Sequence, residues 1–246
     1  MLALLHTSLV HVPVFDALRD QAHPGLELLH LVAEDLLERA RADGPAAVAD
    51  DVRDRVREAV RKGARAVLCT CSTIGGLAEA AGAGAGVAVL RVDRPMAAAA
   101  VAAGRRVVVL AALESTLGPT VALIEEEARR AGRSVEVRTV LVPGAWERFE
   151  AGDSAEYVDR VAQAADAVTG ADAIVLAQAS MAPAEALVTT SLPVLSSPRP
   201  GLAAAARLHC EPPPARPWAA RCIAGPEAPT GPVPSRGRVT GEAAHG

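Results

Sequence analysis

Short runs of Val, Leu and Ala recur along this chain, separated by longer stretches with helical spacing. Eight runs read as strands: 2–6 (LALLH), 26–31 (LELLHL), 65–70 (RAVLCT), 87–92 (VAVLRV), 106–112 (RVVVLAA), 135–142 (VEVRTVLV), 172–178 (DAIVLAQ) and 192–196 (LPVLS). Helical periodicity fills gaps such as 46–62, 94–103, 117–131 and 154–169. Strands that are apolar throughout must be covered on both faces, and helices between them return the chain so that the strands run parallel. The alternation predicts an α/β fold on a parallel sheet, with ligands bound at the carboxyl ends of the strands. Half of the residues are apolar but only five are aromatic, so small side chains must do most of the packing.

The pattern occurs twice. VLRVDRPM begins at Val89 and VLSSPRPG at Val194, an offset of 105. The third strand of each half ends in a small polar cluster, CTCST at 69–73 and AQASM at 177–181, which sets Cys71 against Gln178 at an offset of 107. The first strand of each half leads to hydroxyls, Thr7 and Ser8 and then Ser115 and Thr116. The repeat predicts two similar flavodoxin-like parallel-sheet units related by a pseudo-two-fold axis, residues 1–104 and 105–207, with a cleft between them. Past 207 the chain is rich in Pro, Gly and Ala and loses its periodicity, so 208–246 reads as a disordered tail.

Composition excludes several classes of partner. The net charge is −4 with acids and bases interspersed, which leaves no basic face for nucleic acid or a membrane surface. No apolar run approaches membrane-spanning length. The start, MLALLHTSLVHVPVF, lacks the basic region and cleavage site of a signal peptide and reads as a buried strand followed by a loop. Cys69 and Cys71 are too close for an easy disulfide, and the cytoplasm is the default compartment. The glycines of AAGAGAG (80–86) imitate a nucleotide loop but precede a strand instead of following one, so that reading fails.

The stretch VLCTCSTIGG (67–76) carries the chemistry. Free cysteines are usually small apolar core residues, which suits Cys69 inside its strand. A metal site would need more ligands than C-x-C offers, and the other cysteines, Cys210 and Cys222, lie at the tail. Cys71 stands where strand gives way to helix, and a helix amino terminus favours a thiolate. Ser72, Thr73 and the free N–H groups there could hold a carboxylate or enolate oxygen. His6, at the end of the first strand, is a proton shuttle, a carboxylate contact or a satisfied structural histidine. Asp93 orients a ligand or caps the helix at Pro95. Ser115, Thr116 and Thr120 bind carboxylate, or the first two cap helix 117–131. Glu34 and Glu114 read as solvated.

Taken together, these stretches resemble the aspartate/glutamate racemase superfamily, which includes hydantoin racemases, maleate isomerases and arylmalonate decarboxylases. Cys71-Ser72-Thr73 is similar to the C-N-T or C-S-T motif that carries the family's first-half thiol. RVDRPM (91–96), LESTLGPT (113–120) and HLVAEDLL (30–37) resemble the segments after the fourth strand, at the opening of the second half and after the second strand. The resemblance covers roughly residues 1–206. It implies a cofactor-independent enzyme, an isomerase acting at the carbon next to a carboxylate of a small amino acid or related acid. Cys71 would be its catalytic thiol, and His6, Thr7, Ser72, Thr73, Asp93, Ser115, Thr116, Thr120, Gln178, Ala179 and Ser180 would surround the substrate. The sequence departs from the family in two places: the first loop, HTS at 6–8, lacks the acidic residue found there in glutamate racemases, and the second thiol normally lies in a stretch like L-G-C-T, where LAQASM here puts Gln178. Gln cannot exchange a proton in this role. The alternatives are a single-cysteine decarboxylase or isomerase of the same family, though the family's decarboxylases keep the second-half thiol, and a non-catalytic carboxylate-binding protein. The expected partner is a small carboxylate; a homo-oligomer stays open.

Overall fold

A computed structural model describes residues 1–210. The first half runs β1 (Leu2–His6), α1 (His11–Ala22), β2 (Leu28–Val32), α2 (Glu34–Asp43), α3 (Ala49–Arg61), β3 (Ala66–Cys69), α4 (Ser72–Ala85), β4 (Ala88–Arg91) and α5 (Arg94–Ala103). The second runs β5 (Arg106–Ala111), α6 (Leu117–Arg130), β6 (Glu136–Leu141), α7 (Ala145–Glu150), α8 (Ser154–Asp166), β7 (Ala173–Leu176), a 3-10 helix at Ala179–Ala186, β8 (Val194–Leu195) and α9 (Pro198–Cys210). All pairings are parallel, in two sheets of order β2-β1-β3-β4 and β6-β5-β7-β8. Both sheets are α/β layers covered on each face. Among the described residues no helix is long and apolar enough to cross a membrane.

The apolar strands dictate this arrangement. Successive residues of β1 and β3 point to opposite faces, so each face needs its own cover. Ala3, Leu5, Val67 and Cys69 pack under α2, α3 and α4, with Leu36, Val52 and Ile74. Leu2, Leu4, Ala66 and Leu68 face the other way, onto Phe15 of α1 and onto Leu202 and Ala205 of α9. In the second sheet Val108, Leu110, Ile174 and Leu176 pack on Tyr157 and Val161 of α8. The reverse face, Val107, Val109 and Val175, packs on Leu123 and Ile124 of α6 and on Met96, Ala97 and Ala100 of α5. Each half therefore sends the helix after its last strand across to cover the other half's sheet.

Two sequence expectations change. The segment after β1 is not all loop, because α1 begins at His11. Pro13 falls in its first turn, where no intrahelical N–H is needed, and Phe15 becomes fully buried. The helical pattern also continues beyond 207 to Cys210, and partly buried Leu208 joins the first half's core. The rest of the expected tail lies outside the described residues. Gly82 and Gly86 have structural duties. A Cβ at Gly82 would stand 2.4 Å from Val89 Cγ2, and Gly86, at φ +66°, ends α4.

Gly201 fixes how closely α9 approaches. A Cβ there would lie 2.5 Å from the Val92 carbonyl oxygen, a backbone atom that cannot swing away. Gly201→Ala should therefore cost about 1–3 kcal/mol of stability as an overpacking change. Denaturant unfolding would measure it, and an unchanged midpoint would mean that α9 docks less tightly than described.

Candidate active site

Two backbone hydrogen bonds of the first half recur at equivalent positions in the second. Thr70 N–H donates to the Leu5 carbonyl at 3.0 Å, and Ala177 N–H donates to the Leu110 carbonyl at 2.9 Å. Ala33 N–H donates to the His6 carbonyl, and Val142 N–H to the Ala111 carbonyl. The residues that follow, Cys71 and Gln178, are therefore structural equivalents. Both are extended, with φ −114° in each case, and both precede a helical segment.

They line one cleft of about 330 Å³ at the carboxyl ends of the strands. Its floor comes from the ends of β1 and β3 with Thr7, Thr70 and Cys71, from the start of α4 with Ser72 and Thr73, and from Thr116, Gln178, Ala179 and Ser180 of the second half. Ser72 Oγ donates across the halves to the Ala177 carbonyl at 3.2 Å. Tyr157 and Ser180 share a hydroxyl hydrogen bond of 2.8 Å. Cys71 keeps a small exposure of 9%, whereas Cys69 has none. Burial pushes the Cys69 thiol far up, and its Sγ–H points to the Cys71 carbonyl at 3.7 Å, so Cys69 is a packing residue.

Gln178 has a defined job. Its Oε1 accepts from Ala112 N–H at 2.6 Å and from Leu113 N–H at 3.3 Å, clamping the loop after β5. Two backbone donors require the amide oxygen there, which leaves the NH₂ group as the donor. The side chain thus closes the second half's loop where the first half presents a thiol.

Four residues read as substrate contacts lie outside the cleft lining. Thr120 is fully buried and donates to the Thr116 carbonyl at 2.8 Å, a bond made within its own helix. Ser115 Oγ is buried without a protein partner. Asp93 holds the N-cap position of α5 but makes no side-chain cap hydrogen bond. It binds Arg91 through both oxygens, at 2.6 and 2.8 Å, and is itself fully buried. Arg91 Nη2 also reaches the Ser72 carbonyl at 3.3 Å and the Pro119 carbonyl at 3.4 Å. The pair therefore props the start of α4 and touches the first turn of α6.

His6 sits behind the floor. Its Nδ1 is 2.8 Å from Thr70 Oγ1, its Nε2 is 2.8 Å from His30 Nδ1, and His30 Nε2 is 3.3 Å from Asp16. Burial, with lesser repulsion from His30 and His11, lowers His6 to about 3, so it is neutral in ordinary buffers. His11 lines the cleft, lowered by burial to about 4.

Sequence reasoning missed the cleft's upper wall: His11, Glu34, Leu37, Glu38, Arg41, Leu113, Trp146, Phe149 and Glu150. Glu34, although exposed, also accepts from Leu9 N–H at 3.2 Å, so it is not only a solvated charge. One available signal was the aromatic count: three of five aromatic residues fall between 146 and 157.

Two parallel-sheet halves facing each other across a cleft, with a thiol on one side and its pseudo-symmetric position on the other, define a racemase-type α/β protein. The chain belongs to the Asp/Glu/hydantoin racemase family, whose profile matches residues 11–207. Its fold is shared with glutamate racemase from Francisella tularensis in complex with D-glutamate (TM-score 0.65, 11% identity, covering 84% of this chain and 80% of that one). It is shared too with a mutant of arylmalonate decarboxylase in a sulfate-associated form (0.59, 21%, 85% and 92%) and with allantoin racemase from Klebsiella pneumoniae (0.58, 19%, 84% and 86%). No curated protein sequence matches the chain significantly.

Two outcomes test the supports of this site. Asp93→Ala leaves a buried guanidinium without its counter-charge and should cost about 3–5 kcal/mol, read by chemical denaturation; a loss below 1 kcal/mol would mean that Arg91 is not held this way. The folded-state values of His6 and His11 lie below the unfolded value of 6.5. The unfolded chain therefore binds more protons, and stability should fall as pH drops from about 6.5 towards about 3. Replacing His6 by Gln should flatten that loss in pH-dependent unfolding; an unaltered slope would show that His6 already ionises in the folded protein.

Proposed function

We propose that this protein is a cofactor-independent isomerase that moves a proton at the carbon next to the carboxylate of a small acid, with Cys71 as donor and acceptor. One observation carries the reading: Cys71 lies at the cleft floor, at the start of a 14-residue helix, beside Ser72 and Thr73. The first N–H groups of such a helix have no intrahelical partner and favour negative charge. A substrate carboxylate docked there would be stabilised further as its charge spreads into an enediolate. Gln178, with its NH₂ turned from the clamped loop, supplies a donor from the opposite half. Asp93 and His6 act in this scheme as supports for Ser72 and Thr70, not as substrate contacts.

The opposite half constrains the outcome. Racemisation through two bases needs an acid on one face and a base on the other, and the Cys71 equivalent holds no exchangeable acid. A one-sided reaction, in which Cys71 protonates an enediolate after carbon dioxide leaves, is therefore the second reading, favoured by the clamp that Gln178 makes. A carboxylate-binding protein without turnover is the limit of the same departure.

Incubation of small carboxylic acids in deuterated water separates the three. Exchange at the α-carbon with inversion of an enantiopure acid and no loss of carbon dioxide marks an isomerase, release of carbon dioxide marks a decarboxylase, and binding with neither marks a binder. Cys71→Ser should lower turnover by roughly 100-fold or more, the usual scale of acid–base assistance. Gln178→Cys should raise racemisation, while the lost loop clamp costs about 1 kcal/mol of stability. Full activity in Cys71→Ser would end the proposal.

A further inference from the structure

The upper end of the cleft differs in chemistry from its floor. Trp146 and Phe149 stand on α7, both half-buried, with ring centres 5.0 Å apart and planes 27° from parallel. Tyr157 backs them, 5.3 Å from Phe149, and its hydroxyl is tied to Ser180. Leu37 of α2 stands in the same lining. In a chain with five aromatic residues, this is a concentration of apolar planar surface at one wall of one cavity. Tyr157 belongs to the second half's core and Trp146 and Phe149 pack against that core with part of their surface, while the rest of the two rings lines the cleft.

Charge at this end is mainly negative. Among the described residues, Glu34, Glu38 and Glu150 line it against a single cation, Arg41. Glu150 accepts from the Trp146 indole at 2.6 Å, and the Arg41 guanidinium lies 5.8 Å from the centre of the Trp146 ring. The indole is thus fixed in the wall by a carboxylate on its N–H and a cation near its ring. A second carboxylate on a substrate would be brought against three acids and the one cation near the ring. An apolar planar group would instead exchange water for contact with Trp146, Phe149 and Leu37, gaining roughly 25 cal/mol for each Å² removed from water.

We infer that the Trp146–Phe149 wall is the side-chain subsite, so that the substrate is a monocarboxylate bearing an aromatic or bulky apolar group, and not a dicarboxylate. The inference rests on the proposed seating of the carboxylate at Cys71–Thr73. That seating places one acid group on the floor and leaves the wall for whatever the α-carbon carries.

Equilibrium binding to the full-length chain tests it with achiral probes that isomerisation leaves unchanged: phenylacetate, succinate and acetate, followed by calorimetry or ligand-observed NMR. Phenylacetate should bind at least 10-fold more tightly than succinate. Trp146→Ala should lower phenylacetate affinity about 10-fold and leave acetate unchanged. Leu37→Glu, on the other helix, should do the same without disturbing α7. Succinate binding as tightly as phenylacetate, or succinate affinity lost in Arg41→Ala, would overturn the inference and make Arg41 a second carboxylate anchor. Equal losses for acetate and phenylacetate in Trp146→Ala would overturn it too, as would failure of both acids to bind. Selective phenylacetate binding without α-exchange of any acid would defeat the isomerase reading alone and leave the subsite standing.

Discussion

The buried pair of Arg91 and Asp93 is the interaction on which the site's geometry depends. An unpaired charge at either position could not be held inside the protein, so the two must stay together. Their double hydrogen bond fixes the guanidinium, and its Nη2 then bonds the Ser72 carbonyl in the first turn of α4 and the Pro119 carbonyl in α6. Gly75 makes room for this path: a Cβ there would lie 2.9 Å from Arg91 Cβ. One residue beyond Asp93, Arg94 pairs with Glu79 of α4 and with Glu126 and Glu127 of α6. The segment RVDR thus pins the thiol-bearing helix to the opposite half by two adjacent cationic anchors.

Upon this nearly symmetric frame the protein builds an asymmetric cleft. The backbone around Cys71 and Gln178 matches bond for bond, yet one side ends in a thiol and the other in an amide that occupies two N–H groups of the neighbouring loop. The asymmetry continues upward. The first half contributes Glu34, Glu38, Arg41 and His11, and the second contributes Trp146, Phe149 and Glu150 of α7. Repetition set the scaffold, and the residues that break the repetition set what the cleft can bind.

Much of this was legible in the sequence. Eight runs were enough for eight strands, because the central strands β1, β3, β5 and β7 are almost wholly apolar and buried and leave few polar positions to blur the signal. The internal offset located Gln178, since equivalent strand ends carry equivalent short polar clusters. What escaped has physical causes. The start of α1 combines a histidine and a proline, which hide a helix whose core contact is Phe15. The RVDR motif announces charge but not direction, so Asp93 read as a ligand contact or cap when it faces inward to Arg91. The α7 wall is six residues long and too short to show periodicity. Its aromatic residues meet the hydroxyl floor only through tertiary packing.

The crossing of α5 and α9 has a mechanical meaning. A helix from each half is built into the other's core, so rotating the halves apart as rigid bodies would drag Met96 and Ala100 out from beneath β5 and Leu202 out from beneath β1. A frame locked in this way resists opening like a hinge. The short elements at the rim, α7 and the residues after β1, mix exposed side chains such as Leu9 and Glu147 with half-buried ones such as Ser8 and Trp146. The interlock ties the cleft floor that carries Cys71 to the cores of both halves at once.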